Sequence, residues 1–501
     1  MNHAHQLRRR FAVALLGAGL ATPSVGSGQG AARATAATAA SPVDPTAALL
    51  AEVIRLDTSN PPGVTQALAD LLAGRFRAAG FSIEIIPTPD SGKVHFIARL
   101  KGDGSKRPVL LAAHADVVGV EREKWSVDPF AGVIKDGHVY GRGAIDFKGG
   151  LAVFAIAALR LAEQKVPLAR DVIFMAEADE EAAPRNTSWL ARTHWASMDA
   201  EFALNEGGWI IKGDDGRVQY VSISTADKSS VAVTLTSKGT STHSSMPLPD
   251  NALASLGAAI AKVVAYRTPV QLTAESRQFF ETLGRTTKGP TSRYFQQLVS
   301  GTPAQVRAAD SVISADPLLH AIMRNTFSPV IMSGGFRSNV IPGSAEATIN
   351  MRLIPGSDPN AMVALLRQVI NDPRVTVSLA RGAATSTPAT APTGPAAPAA
   401  ASAPSSVETE LYRALAREAK AQWPSAEVTP YLFQAGTDAG AWRSRGVPVY
   451  GIYPYPITND ELRRMHGNDE RVSVESLRQG TDMIFRTLVS VAGKDPRPGT
   501  R

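Results

Sequence analysis

Three apolar runs in this chain break off in the same way. PVLLAAHADVV (108–118), DVIFMAEADEE (171–181) and FALNEGGW (202–209) each pass from residues that bury readily straight into a histidine or carboxylates. Side chains two apart on a strand share a face. A strand ending in HAD therefore presents His114 and Asp116 side by side where a sheet meets solvent. Between such runs lie segments with helical apolar spacing: PTAALLAEVIRLDTSN, then ALADLLAGRFRAAGF closing at Gly80, then GGLAVFAIAALRLAEQ. FSIEIIP and VHFIARL add shorter strands. Strands alternating with helices in this manner predict an α/β sandwich around a mixed or parallel sheet.

A chain of 501 residues exceeds one ordinary domain. The texture changes near Asp227, where SSVAVTLTSKG alternates as a strand with two unlike faces. NALASLGAAIAKVVAY, SAEATINMRLIPG, PNAMVALLRQVI and RVTVSL continue as helix, strand, helix and strand. The expected organisation is a leader over 1–41 and a larger domain over 42–226. A smaller α/β unit follows over 227–382, with a helical excursion over about 269–328. The Pro/Ala-rich loop covers 383–406, and the larger domain is completed over 407–501.

The formal charge of +7 is modest for this length, and no basic cluster interleaved with aromatics accompanies it, which excludes nucleic acid as the expected partner. Arg8, Arg9 and Arg10 precede an apolar segment from Phe11 to about Ala21, too short to span a bilayer stably. This is the shape of an export signal, of twin-arginine type or simpler, directing the chain to a periplasm or the exterior without stable membrane insertion. There is no cysteine, so a metal could be held only by His, Asp and Glu.

Four clusters offer such ligands: His114 with Asp116; Asp146 among the glycines of YGRGAIDFKGG; Glu177, Asp179, Glu180 and Glu181 of AEADEEA; and Glu206 of LNEGGW. Each also has a plain structural reading, Asp146 as a helix cap and the acid run as a solvated strand end. Adjacent carboxylates after a buried strand repel one another unless a cation or proton intervenes. Two zinc ions need a bridging carboxylate and about two further ligands each. His114, Asp146, Glu181, Glu206 and one more histidine suffice, and His466 of RRMHGNDERVS is the remaining candidate in the resumed larger domain.

Taken together, HADVV, WSVDPFAGVIKDGHVYGRGAIDFKGG, DEE, NEGG and MHG resemble the di-zinc exopeptidase and aminoacylase family, with the length and excursion of its vacuolar carboxypeptidase S branch. The resemblance implies an α/β/α catalytic sandwich interrupted by a smaller lid that is also the usual dimerisation surface. It implies that His114, Asp146, Glu181, Glu206 and His466 hold two Zn2+, for which Co2+ or Mn2+ could substitute. Asp146 would bridge, Asp116 would orient His114, and Glu180 would be the general base. His243, often supplied across a dimer interface, would stabilise the oxyanion, while Asn339 and Arg352 would hold the substrate, Arg352 through its carboxylate. Asp438 would contact substrate or order its loop. Asn205 competes with Glu206 as the ligand from its segment. The implied reaction is hydrolysis of an amide beside a free carboxylate, in a small peptide or in an N-acyl amino acid. A metal-free binding or scaffold relative would be expected to lack a ligand, and none of these is missing.

Overall fold

All six residues of Val109–His114 are buried, because this strand lies inside a sheet with helices on both faces. The computed structural model describes residues 43–182, 185–380 and 403–494. The expected export signal and most of the Pro/Ala-rich run lie outside the described residues. Among the described residues, the strands longer than three residues are Ser82–Pro87 (β1), Val94–Leu100 (β2), Val109–His114 (β3), Val172–Glu177 (β4), Phe202–Lys212 (β5), Val218–Asp227 (β6), Ser229–Lys238 (β7), Thr326–Gly334 (β8), Ser344–Leu353 (β9), Val375–Leu379 (β10), Glu427–Phe433 (β11) and Val449–Ile457 (β12).

Eight of them form one mixed sheet in the order β1-β2-β4-β3-β5-β12-β6-β11. β3 runs parallel to both β4 and β5, and β12 parallel to β5. Alternation along β3 splits its side chains between two cores. Val109, Leu111 and Ala113 join the cluster beneath helices Pro45–Ile54, Lys148–Glu163 and Val474–Ala492, while Leu110 and Ala112 face Ile173, Met198 and Trp442. Burying an aliphatic side chain of this size contributes about 1.5–3 kcal/mol, which fixes the register that sets His114 opposite Glu177 on β4. Beside β5, β12 passes so close that a Cβ on Gly451 would lie 2.2 Å from the Glu206 carbonyl oxygen. Only glycine lets the two strands meet there.

The other four strands form an antiparallel sheet, β8-β9-β7-β10. Its inner face is Ala345, Ala347, Ile349, Met351 and Leu353 of β9, packed with Leu256 and Val263 of helix Ala252–Ala265 and Leu366 of helix Pro359–Ile370. Its outer face carries Asn350 and Arg352. β8 is an edge strand with Val330, Ile331 and Met332 exposed.

Two expectations change. The helical excursion expected within the smaller unit packs on the large sheet: Phe279 of helix Ala274–Thr286 meets Tyr220 and Tyr431 edge-on, and Phe280, Phe295 and Leu298 join the large core. Its amphipathic faces cover the outer strands β6 and β11. The Pro/Ala-rich run also ends in ordered structure before 406. Ser405 is buried, its amide donating to Thr225 O at 2.8 Å and its hydroxyl to Val449 O at 2.9 Å. No helix among the described residues is long and apolar enough to cross a membrane.

Candidate metal centre

The ends of β3 and β4, the middle of β5 and two loops converge on one pocket of acids. His114 closes β3. Its Nδ1 faces the Asp116 carbonyl oxygen at 2.9 Å, an acceptor only, so Nδ1 carries the hydrogen and Nε2 points into the pocket. Nε2 lies 3.2 Å from Asp146 Oδ1 and 3.6 Å from Glu206 Oε2. His466, on the loop after helix Asn459–Leu462, has the left-handed φ of 58° and sets its Nε2 3.0 Å from Asp146 Oδ2 and 3.2 Å from Glu181 Oε1. Each Asp146 oxygen thus faces a different histidine, and each histidine has a second carboxylate, Glu206 for His114 and Glu181 for His466.

The electrostatics are those of a site short of positive charge. Burial raises Glu206 to about 7, with Asp146 and Glu181 adding repulsion against the opposing pull of His114. Burial, Glu206 and Glu181 raise Glu180 well above the carboxylate range. Against the cost of burial, Asp146 and Glu181 lift His466 to about 10, and Asp146 and Glu206 hold His114 well above its ordinary value. Asp146, Glu180, Glu181 and Glu206 carry four negative charges when ionised, which two divalent cations would balance. The donor set is oxygen and imidazole nitrogen, in keeping with zinc and its neighbours. His114, Asp146 and Glu181 each bring an atom within 4.8 Å of the others, as do His114, Glu180 and Glu206. The hydrogen bonds pair Glu181 with His466, whose Nε2 is a direct neighbour of its oxygen.

Side chains outside the expected set frame this pocket. Tyr453 of β12 donates toward Asp146 Oδ1 at 3.1 Å and Glu206 Oε2 at 3.0 Å. Glu470 accepts the Ile145 and Asp146 amides at 2.7 and 3.0 Å and the Arg142 guanidinium at 2.6 Å. Arg142 also donates to His466 O at 3.3 Å, so this pair ties the Asp146 loop to the His466 loop. Glu470 follows His466 by four residues, and that spacing was the available signal.

Several expected residues stand differently from the expectation. The Asp116 carboxylate is 3.8 Å from His114 Nδ1 and accepts instead from the Glu180 and Glu181 amides at 3.2 and 3.1 Å, because its own backbone carbonyl already fills the contact with the ring. Asn205 turns its Oδ1 to the Glu206 amide, leaving Glu206 to face His114. Asp438 is buried beside Glu177, raised to about 6 by that burial despite the Thr187 hydrogen bond, and is not open to solvent. Arg352 is half-buried; burial draws it below the arginine range and the charge of Glu180 opposes that. Its Nη1 lies 3.8 Å from where a Cβ on Gly436 would sit. His243 and Asn339 are exposed and adjacent, His243 pairing with Val340 across a two-residue ribbon, outside the acid pocket.

A buried carboxylate with one oxygen toward each of two histidines, beside the strand ends of an α/β sheet, is an arrangement suited to a pair of metal ions. The profile described as Peptidase family M20/M25/M40 matches residues 110–490. The chain belongs to that family, and is a metallo-hydrolase of exopeptidase type. It is 28% identical over 395 residues to a probable carboxypeptidase S-like 2 of Dictyostelium discoideum, covering 77% of this chain and 72% of that one. To the N-fatty-acyl-amino acid synthase/hydrolase PM20D1 of Homo sapiens it is 26% identical over 419 residues, 81% of this chain and 78% of the other. The crystal structure of an M20 family metallo-carboxypeptidase, Sso-CP2 from Sulfolobus solfataricus, shares the fold with a TM-score of 0.63 at 17% identity, over 89% of this chain and 99% of that one.

Proposed function

We propose that the chain holds two zinc ions and hydrolyses an amide adjacent to a free carboxylate, in a small peptide or an N-acyl amino acid. The observation that carries this reading is the Asp146 carboxylate, with Oδ1 toward His114 and Oδ2 toward His466. His114 and Glu206 would complete one cation site, His466 and Glu181 the other. Cations bound there would acidify a water and polarise the scissile carbonyl.

The remaining work falls to this chain's own groups. Glu180, beside the pocket but paired with neither histidine, takes a proton from the attacking water on a carboxylate oxygen and returns it to the leaving nitrogen. Burial and the charge of Glu206 raise the proton affinity of this carboxylate, which must be ionised to accept the water's proton. Arg352, within the field of Glu180, grips the substrate carboxylate with its guanidinium fork. His243 and Asn339 would reach the substrate from a second chain, in a homodimer formed through the exposed edge of β8. A peptide substrate accords with the similarity to carboxypeptidase S-like 2, and an N-acyl amino acid with that to PM20D1. The arginine run and apolar segment at residues 8–21 support export to a periplasm or the exterior.

Glu180→Gln, loaded with zinc and assayed on dipeptides, blocked dipeptides and N-acyl amino acids, is expected to keep its metal and lose about 10²–10⁴-fold in kcat. Undiminished turnover at full metal content would remove Glu180 from the role of base.

A further inference from the structure

Glu180 and Glu181 lie on a turn after β4 that begins with Asp179 in the left-handed region, at φ 72°, where an aspartate needs support from its surroundings. That support comes from buried side chains contributed by segments before β3. Asn60 donates both amide hydrogens, to Asp116 Oδ2 at 2.7 Å and to Asp179 Oδ1 at 2.8 Å. Its own Oδ1 accepts from Lys93 Nζ at 3.3 Å, and Lys93 also forms an ion pair with Asp179. The two carboxylates joined in this way spend their other lone pairs on the turn itself. Asp116 accepts the Glu180 and Glu181 amides, and Asp179 accepts the Arg185 amide at 2.7 Å.

His95, one residue into β2, closes the same turn from beneath. Its Nδ1 accepts the Ala178 amide at 3.2 Å and its Nε2 donates to Arg185 O at 2.8 Å, so one neutral ring links the two ends. The ring is fully buried and stacks on Trp189 at 5.9 Å. Antiparallel pairing of β2 with β4, Phe96 opposite Ala176, brings Lys93 and His95 under the turn. Asn60, Lys93 and His95 make no hydrogen bond to either histidine of the metal centre; His95 bonds the backbone at Ala178 and Arg185, and Asn60 and Lys93 act on the turn through the Asp116 and Asp179 carboxylates.

We propose that Asn60, Lys93 and His95 are positioning residues, a frame that acts through Asp116 and Asp179 to hold Glu180 at the reacting atoms and Glu181 toward His466. The proposal rests on the reading of Glu180 as base, and its test separates the two. In the metal-free full chain, amide hydrogen exchange at Ala178, Glu180, Glu181 and Arg185 is expected to accelerate about tenfold or more in Lys93→Met and His95→Gln, with protection of β3 and β5 unchanged. In the zinc-loaded chain the same substitutions are expected to lower kcat about 30-fold, with KM moving less than about threefold, and to weaken zinc binding about 10- to 100-fold. Introduced into Glu180→Gln at saturating zinc they are expected to cost little further in kcat, since the part of the frame's effect carried by Glu181 then appears only as weaker zinc binding. Lys93→Arg, which keeps the charge, is expected to recover part of the loss.

Unchanged exchange at the turn in the folded variants would overturn the proposal. So would a kcat loss that simply adds to that of Glu180→Gln, which marks a general structural effect. If Asn60→Ser, Lys93→Met and His95→Gln all fail to fold, the frame belongs to global stability and the proposal is likewise overturned. Full activity in Glu180→Gln alone would instead defeat the base assignment, and the exchange result would still report on the frame.

Discussion

At one edge of the large sheet the side chains of the proposed metal centre touch one another, whereas the proposed recognition residues, on the small sheet and its neighbouring two-residue ribbon, stand apart. His114, Asp146, Glu181, Glu206 and His466 form a continuous set of contacts, backed by Tyr453 and Glu470. Arg352 makes no hydrogen bond or ion pair among the described residues, and His243 and Asn339 face solvent. A site that concentrates like charge needs a rigid scaffold to keep it together, and strands buried on both faces provide one. Residues that must admit a substrate gain from being completed only when it binds, so that closure excludes water at the moment of reaction.

This contrast can be broken most sharply at Asp146. If the cluster works as a unit, Asp146→Asn should lose both zinc sites together and reduce kcat/KM by on the order of 10⁴-fold or more; metal analysis that still finds two tightly held ions would separate the sites. Arg352→Ala tests the other region. It should keep its metal and lose about 10²-fold in kcat/KM on substrates with a free carboxylate, about 2–3 kcal/mol, while changing little on the corresponding amides. Equal losses on acid and amide would count against the clamp. The smallest effect belongs to the β8 edge. Ile331→Lys places a charge at an exposed position and should alter stability by less than about 0.5 kcal/mol, yet shift sedimentation from dimer toward monomer. An unchanged sedimentation profile would argue that this edge is not the contact.

The pattern of residues reached the large sheet and its acids more easily than their supports. HAD and DEE were legible because an apolar strand announces where it ends, and the ends of parallel strands are where side chains converge; NEGG lies instead in the middle of β5, which runs on to Lys212. His466 emerged as the histidine remaining in the resumed domain. Asn60, Lys93 and His95 carry no such mark. Their meaning depends on β2 pairing with β4, a long-range register that local periodicity does not contain. The helical excursion shows the same limit, since an amphipathic helix displays its apolar face without saying which sheet will cover it. Asp116 lies beside His114, but a carbonyl and a carboxylate on one residue compete for the same ring nitrogen, and the folded backbone gives that contact to the carbonyl.

The central claim is that one aspartate is shared by two cations. Anomalous diffraction at the zinc edge, on crystals of the zinc-loaded chain, tests it directly. Two peaks about 3.5–4 Å apart are predicted on either side of Asp146, one against His114 and Glu206 and the other against His466 and Glu181. A single peak, or two that do not share Asp146, would contradict it.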